Sequence, residues 1–287
     1  MVIASLKVLP QRYLSHCAGT LMATRLPRPM AKAAVRTFGR VFGVDFDEVK
    51  DPLDSFTSVQ GFFVRALKEG TRPVDTDPRS VASPCDGAWG AAGMVEAGQV
   101  LQVKGRPYSV AALLDDEALA RRFEGGAFAT LYLSPKDYHR LHAPHAGRVV
   151  AARHVPGALW PVNNAGLRYV DGLFARNERI VVLLEPAAEL GAPPGAALAL
   201  IAVGATMVGK VRLAFDDLVT NAGDEARERH YSPPHELAKG AEWGRFEFGS
   251  TVVLVATPGW LQLEAQEAGT PVRLGTRIGA LVGARAR

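Results

Sequence analysis

Gly244-Arg245-Phe246-Glu247-Phe248-Gly249-Ser250-Thr251, running directly into Val252-Val253-Leu254-Val255-Ala256, is the stretch around which this chain is organised. The β-branched and apolar residues over Phe246–Ala256 predict a strand, and a Gly-Ser step interrupts it. Glycine has no Cβ, so its carbonyl can be approached closely and its backbone can take strained angles. A serine that attacks the carbonyl of the residue before it needs both properties. Taken alone, Gly-Ser-Thr within a strand is an ordinary bulge or turn. Its weight comes from two other stretches, Ser83-Pro84-Cys85-Asp86-Gly87 and Asp137-Tyr138-His139-Arg140-Leu141-His142.

A chain of 287 residues can bury one sizeable core or two smaller ones, and 48% hydrophobic with 22% charged content excludes global disorder. Two cysteines, Cys17 and Cys85, supply neither a disulfide framework nor metal-cluster spacing, and a reducing compartment fits them best. The net charge of +4 is uneven: residues 1–44 hold seven Lys or Arg and no acid, which leaves −3 on the remainder. No run approaches the roughly 18 apolar residues of a membrane span, and no secretory signal pattern follows Lys7. Val8, Leu9, Tyr13, Leu14, Leu21 and Met22 lie among the cations of this basic segment. Such a segment can lie in a membrane interface, held by buried apolar area and by anionic lipid. A helical packing arm with solvated cations is the plainer alternative. A nucleic-acid partner is not expected, because aromatic-basic interleaving is missing.

Pro27 and Pro29 divide the N-terminal region, and the pattern predicts one helix over 30–42 and another over 55–67. A soft domain boundary falls after Gly70, giving a helical region 1–70 and a β-rich region 71–287. Short apolar runs punctuated by Gly and Pro predict strands at 99–103, 127–133, 148–155, 180–184, 196–205 and 279–282, besides the opening stretch. Residues 110–123 predict a helix. The polar segment 221–239, with Pro233-Pro234, predicts a long loop.

Three histidines stand together, His139, His142 and His145, but Pro144 interrupts helical spacing and no cysteine stands at ligand spacing, so no metal site is expected. Asp86 would orient a histidine into the tautomer that accepts a proton from serine. Asp86, His142 and Ser250 thus hold the ingredients of a triad. Ser250 lacks the Gly-x-Ser-x-Gly elbow, which disfavours an ordinary α/β-hydrolase. The neutral alternative for each is a turn at Asp86-Gly87 and a polar rim of histidines. Cys85, beside an acid, reads as a small buried residue. Leu173-Phe174-Ala175-Arg176-Asn177-Glu178-Arg179 is either an ion-paired turn or an edge that contacts carboxylate or phosphate.

Together with Leu133-Ser134-Pro135-Lys136 before the histidines, Val203-Gly204-Ala205-Thr206-Met207-Val208-Gly209, Phe62-Phe63-Val64-Arg65 and Arg72-Pro73, these motifs resemble bacterial-type phosphatidylserine decarboxylase. The resemblance runs from about residue 50 to the C-terminus, and the order of five separated motifs makes it specific. It implies an α+β chain, with a helical membrane-associating region followed by a β-rich, barrel-sandwich-like catalytic domain. It also implies a proenzyme that cuts itself between Gly249 and Ser250 into a large chain 1–249 and a small chain 250–287, which stay together as a heterodimer. A higher homo-oligomer is left open.

By the same resemblance Asp86, His142 and Ser250 form the self-processing triad, and Ser250 becomes a covalent pyruvoyl cofactor. Phosphatidylserine in an anionic membrane would condense with it as a Schiff base, lose carbon dioxide and leave as phosphatidylethanolamine. His139 is the expected donor of the returning proton, with His142 as alternative. The implied location is the cytoplasmic face of the cell membrane, peripherally bound. Arg176, Arg179 and Lys136 are candidates for the lipid phosphate. Phe248 stands where the family has a smaller aliphatic residue, which bears on cleavage rate. A serine-type hydrolase using the same three residues without self-cleavage is the competing expectation.

Overall fold

The computed structural model describes residues 19–102, 106–162, 164–206, 210–221, 225–247 and 251–282. Val8, Leu9, Tyr13 and Leu14 of the basic segment, and Phe248, Gly249 and Ser250, lie outside the described residues.

The first long helix, α1 (Arg28–Phe42), follows Pro27 and carries Pro29 in its first turn, where a missing N–H costs nothing. Gly43 ends it in the left-handed conformation at φ 76°. Its inner face buries Ala31, and its Val35 and Phe38 pack with Val44, Val49, Phe62 and Phe63, a core drawn wholly from the helical region. Gly39 is needed there, because a Cβ would lie 2.2 Å from the Phe46 ring. The expected helix over 55–67 is far shorter: α2 spans only Val59–Phe63, capped by Ser58 Oγ on the Gly61 N–H. Beyond it the chain is drawn into extended pairing with residues 48–50, through Lys50 N–H to Ala66 O and Lys68 N–H to Glu48 O. Hydrogen bonds to a neighbouring segment replace the helical ones.

Sixteen strands follow among the described residues. In chain order they begin with β1 (Ser80–Ala82), β2 (Gly87–Met94), β3 (Gln99–Gln102), β4 (Arg106–Ser109), β5 (Ala127–Tyr132) and β6 (Arg140–His142). Then come β7 (Gly147–Val155), β8 (Arg179–Pro186), β9 (Leu198–Val203), β10 (Val211–Leu213) and β11 (Arg227–Leu237). The last are β12 (Glu242–Phe246), β13 (Thr251–Ala256), β14 (Leu261–Leu263), β15 (Pro271–Val272) and β16 (Arg277–Leu281). Eight form one antiparallel sheet in the order β11-β7-β8-β9-β13-β5-β2-β15. Two three-stranded sheets, β10-β12-β6 and β1-β16-β14, cover one of its faces. Short helices carrying Leu113, Leu114, Leu173 and Phe174 cover the other.

This layering explains the apolar runs. Val252 and Leu254 of β13 join the core with Trp243 and Phe246, while Val253 and Val255 join the core with Leu113 and Phe174. A strand buried on both faces reads as continuous Val, Ile and Leu instead of alternating.

Three further stretches differ from expectation. The predicted strand over Phe246–Ala256 is broken: Phe246 ends β12 in a small sheet, and Thr251 begins β13 in the large one. The predicted loop over 221–239 is mostly strand β11, paired with β7. It lies at the edge of the sheet and is mainly solvent-exposed, so it needs no apolar pattern. Pro233 and Pro234 are tolerated where its register shifts between His230 and His235. The expected helix over 110–123 is three short pieces, Val110–Leu114, Glu117–Ala120 and a 3-10 turn Arg121–Phe123. They are separated by Asp115 in the left-handed conformation, with Asp116 capping the second piece.

Candidate active site

The described residues on either side of the Gly-Ser step are held by the sheets. On one side the Phe246 N–H donates to His139 O at 2.9 Å and the Glu247 N–H to Lys210 O at 2.8 Å. On the other, Thr251 pairs with Tyr132 on β5 and Val203 on β9. Strand β6, which carries Arg140–His142, pairs with β12 directly before this segment, with His142 opposite Glu242. Phe246 thus ends in the small sheet, next to the histidine strand, and Thr251 begins in the large one.

His142 is largely buried, and its Nδ1 lies 2.8 Å from Gly240 O. A carbonyl only accepts, so Nδ1 carries the proton and Nε2 holds the free lone pair. Nε2 has no hydrogen-bond partner among the described residues. Burial is the main force lowering its pKa below the ordinary 6.5; Arg140 adds to this, while the Gly240 carbonyl, Glu242 and Asp86 oppose it. The ring is thus a neutral imidazole with an accepting nitrogen at neutral pH.

His139 is fully buried, its ring 3.9 Å from that of Phe63 on α2. Neither ring nitrogen makes a hydrogen bond of normal geometry, and burial first, the Arg65 cation second, push its pKa down to about 3, against a weaker pull from the Asp137 backbone. His145, the third of the set, is elsewhere. It bonds Ala146 O, packs edge-on against Trp260, and is pushed down by burial to about 4. Among the described residues no three His, Cys, Asp or Glu converge as metal ligands. Burial raises the Cys85 thiol well above its usual range, so it is not a ready nucleophile.

Asp86 does not hydrogen-bond to His142, where the sequence expectation placed its orienting role. Its carboxylate is taken by Arg72, from Nε at 2.8 Å and Nη2 at 2.7 Å, and by the Leu274 N–H at 2.8 Å. The same guanidinium forks onto Glu48, from Nη1 at 2.9 Å and Nη2 at 2.7 Å. A bidentate cation outcompetes a neutral imidazole for a carboxylate. Gly240 O orients the ring instead, and Asp86 acts on it through space as a charge that favours protonation.

Arg72, Glu48, Gly240 and Arg65 were not singled out as site residues from the sequence. The Arg72-Pro73 and Phe62–Arg65 motifs were the available signals. Arg65 is buried and donates to Lys136 O and Asp137 O, which fixes the backbone just before His139. Gln60 on α2 donates to Glu247 at 3.0 Å, and Arg140 donates to Val64 O at 3.1 Å. The helical region thus lies against the site's own residues.

Of the three phosphate candidates, Arg179 is spent on structure: its N–H groups donate to Leu113, Ala175, Asn177 and Ala112 carbonyls. Arg176 is exposed at the end of its short helix, and Lys136 alone borders the Arg72–Asp86 cluster. Asn177 bonds both Trp160 and Gly204 O, next to the β9 residue paired with Thr251. His154 Nε2 donates to Glu178 at 2.8 Å, a buried pair that the sequence did not reveal.

A family profile described as phosphatidylserine decarboxylase matches residues 59–280. A phosphatidylserine decarboxylase proenzyme of Anaeromyxobacter sp. (strain K) is 48% identical over 283 residues, covering 97% of this chain and 98% of the relative. A protein of the same name from Myxococcus xanthus (strain DK1622) is 40% identical over 281 residues, 96% of each chain. Another, from Pseudomonas fluorescens, is 42% identical over 287 residues, 97% of this chain and 96% of the relative. The chain belongs to the phosphatidylserine decarboxylase family.

Proposed function

We propose that this chain is a proenzyme that cuts itself between Gly249 and Ser250 and then converts phosphatidylserine to phosphatidylethanolamine and carbon dioxide through a pyruvoyl group made from Ser250. The observation that carries this is that β12, which ends just before the Gly-Ser step, is hydrogen-bonded to the segment bearing His139 and His142, two buried histidines with unpartnered nitrogens. That chemistry needs groups that move protons, and these two buried nitrogens are available for it.

In self-processing, His142 Nε2 takes the proton from Ser250 Oγ, which attacks the Gly249 carbonyl and converts the amide to an ester. Base-assisted elimination then breaks the Ser250 Cβ–O bond, freeing the 1–249 chain as a carboxylate and leaving dehydroalanine, which tautomerises and is hydrolysed by water to the pyruvoyl group with loss of ammonia. Asp86 supports His142 as a fixed charge, and Arg72 and Glu48 position Asp86. A pyruvoyl carbonyl supplies the electron sink for loss of carbon dioxide. His139 returns the proton to the substrate's α-carbon. The two chains stay together because β13 keeps its ladders with β9 and β5. Strands β15 and β16 likewise keep theirs with β2 and β1.

The barrel-sandwich description and the division at residue 70 are supported by separate cores, one wholly within residues 35–63 and two about the large sheet. Peripheral attachment to the cytoplasmic face of an anionic membrane is supported by α1. It exposes Met30, Val41 and Phe42 on a helix with Arg36 and Arg40, while no described helix is long and apolar enough to cross a membrane.

Intact mass and denaturing gels of the purified protein should show two chains, and Ser250→Ala should leave one. Borohydride with phosphatidylserine should tag the small chain; a single untagged chain with Ser250 retained would favour the hydrolase alternative. For freshly translated precursor, the cleavage rate should stay level from about pH 8 down to 6.5 and fall only below it, because burial lowers the His142 pKa from 6.5. Asp86→Asn, which removes a charge favouring the imidazolium, should slow cleavage and move that limb to lower pH; a limb above neutrality contradicts the assignment. His139→Ala should leave two chains and reduce kcat by about 10²–10⁴-fold; loss of cleavage as well would end the division of labour between the histidines. Co-sedimentation with phosphatidylserine vesicles should weaken with salt and on removal of residues 1–44, and binding unchanged by that deletion would rule out the arm.

A further inference from the structure

A cavity of about 570 Å³ lies between the start of β2, the turn over 134–137, the segment 269–273 and the stretch 43–48 after α1. Four carboxylates and four cations line it, a mixture suited to a ligand that itself carries both signs. The cations are Arg65, Arg72, Lys136 and Arg273. Arg72 is consumed by Glu48 and Asp86. Arg65 is only 4% exposed, with Nε and Nη1 unpartnered, and its charge faces those of Asp86, Asp137 and Glu48.

Lys136 and Arg273 are different. Ser134 donates from both N–H and Oγ to Asp137 Oδ2, at 2.6 and 2.7 Å, closing a turn that presents Lys136. Arg65 clamps the Lys136 carbonyl from below, while the exposed Lys136 side chain makes no ion pair among the described residues. Arg273 is largely exposed and makes only a long 3.6 Å contact with Glu48, whose carboxylate Arg72 already holds. Two cations with unused donors thus border one cavity.

Its position identifies the source of the anion. Gly43 and Asp45 form part of the lining, immediately after Val41 and Phe42, which are 71% and 42% exposed. The cavity therefore lies beside the apolar end of α1. On its inner side it shares Ala88, Tyr132 and Gly269 with an apolar cavity of about 380 Å³ that Trp89 and Phe174 line. Tyr132 in turn pairs with Thr251, the residue after the reactive serine. A molecule with a charged head and hydrocarbon tails would find surroundings for both, next to the reacting position.

We propose that this cavity receives the headgroup of the lipid substrate, and that Lys136 and Arg273 are the contacts for its phosphodiester. The inference rests on the decarboxylase reading and names the specificity residues that go with it. A phosphodiester held there anchors the serine moiety by its far end, leaving the amine free to reach position 250. The structural roles of Arg65 and Arg72 differ from this one, because their donors serve the protein's own backbone and carboxylates.

The test is a double substitution, Lys136→Gln with Arg273→Gln, in the full-length protein, against Lys136→Arg with Arg273→Lys. The Gln variant should process to two chains and sediment with vesicles as the parent does. Its KM for phosphatidylserine should rise at least about tenfold with kcat within about threefold, and the Arg/Lys variant should recover most of that loss. Water-soluble glycerophosphoserine should inhibit the parent competitively and the Gln variant about tenfold more weakly. Unchanged KM and unchanged inhibition would overturn the assignment. Loss of vesicle binding in parallel with KM would move the two charges to the membrane surface and overturn it too, as would inorganic phosphate inhibiting as well as glycerophosphoserine. A parent protein that binds glycerophosphoserine by calorimetry, with binding lost in the Gln variant but no carbon dioxide released from phosphatidylserine, would uphold the cavity and defeat the decarboxylase reading.

Discussion

Burial of β13 on both faces is the constraint from which the rest of the molecule follows. A strand that packs Val252 and Leu254 into one core and Val253 and Val255 into another has no face for a polar reacting group. A polar reacting group can stand only beyond its N-terminal end, before the ladders begin at Thr251. The same burial would make a break there harmless to the fold. The strand is hydrogen-bonded on both edges, to β9 and β5, so the residues after position 250 are held by ladders and packing, independent of the peptide bond preceding them. A backbone cut at a sheet crossing creates a new chain end without exposing a core.

Around that end, charge and burial divide the work. Two carboxylates, Glu48 and Asp86, come close together and are reconciled by one guanidinium that bonds both. Breaking a buried ion pair from one side leaves an uncompensated charge at a cost on the order of 3–5 kcal/mol. This knot therefore ties the stretch after α1 to the start of β2 more firmly than surface pairs such as Lys32–Asp54 can. The histidines meet the opposite condition. Burial lowers the pKa of both His139 and His142 and favours their neutral forms. Phe63 against His139, Gln60 on Glu247 and Arg140 on Val64 O bring the helical region into contact with the same residues. The helical region and the histidine-bearing segment are thereby packed into one unit.

Local chemistry was legible where a residue's role depended on its neighbours in the chain. The apolar run of β13, the helix ended by Gly43, and a histidine strand preceded by Pro135 could all be read directly. Reading failed where the deciding partner came from a distant segment. Strand β11 looks like a loop because an edge strand facing water needs no apolar alternation and can accommodate two prolines at a shift of register. Arg179 looks like an anion ligand until four carbonyls, two of them from Ala112 and Leu113, absorb its donors. Asp86 looks like the partner of His142 until Arg72 claims it.

The sequence by itself determined the chemistry available: a Gly-Ser bond, two histidines three residues apart, an acid after Ser83-Pro84, and a cationic N-terminal region. These are properties of residue types and short spacings, which survive in any fold. Only the tertiary structure decided which carbonyl orients His142, which cation holds Asp86, and which lysine or arginine still has free donors beside a cavity. Those outcomes turn on competition between segments separated by up to 188 positions, as in the Leu274 N–H on Asp86. A hydrogen bond goes to whichever partner the packed core brings within 3 Å, and no local pattern encodes that distance.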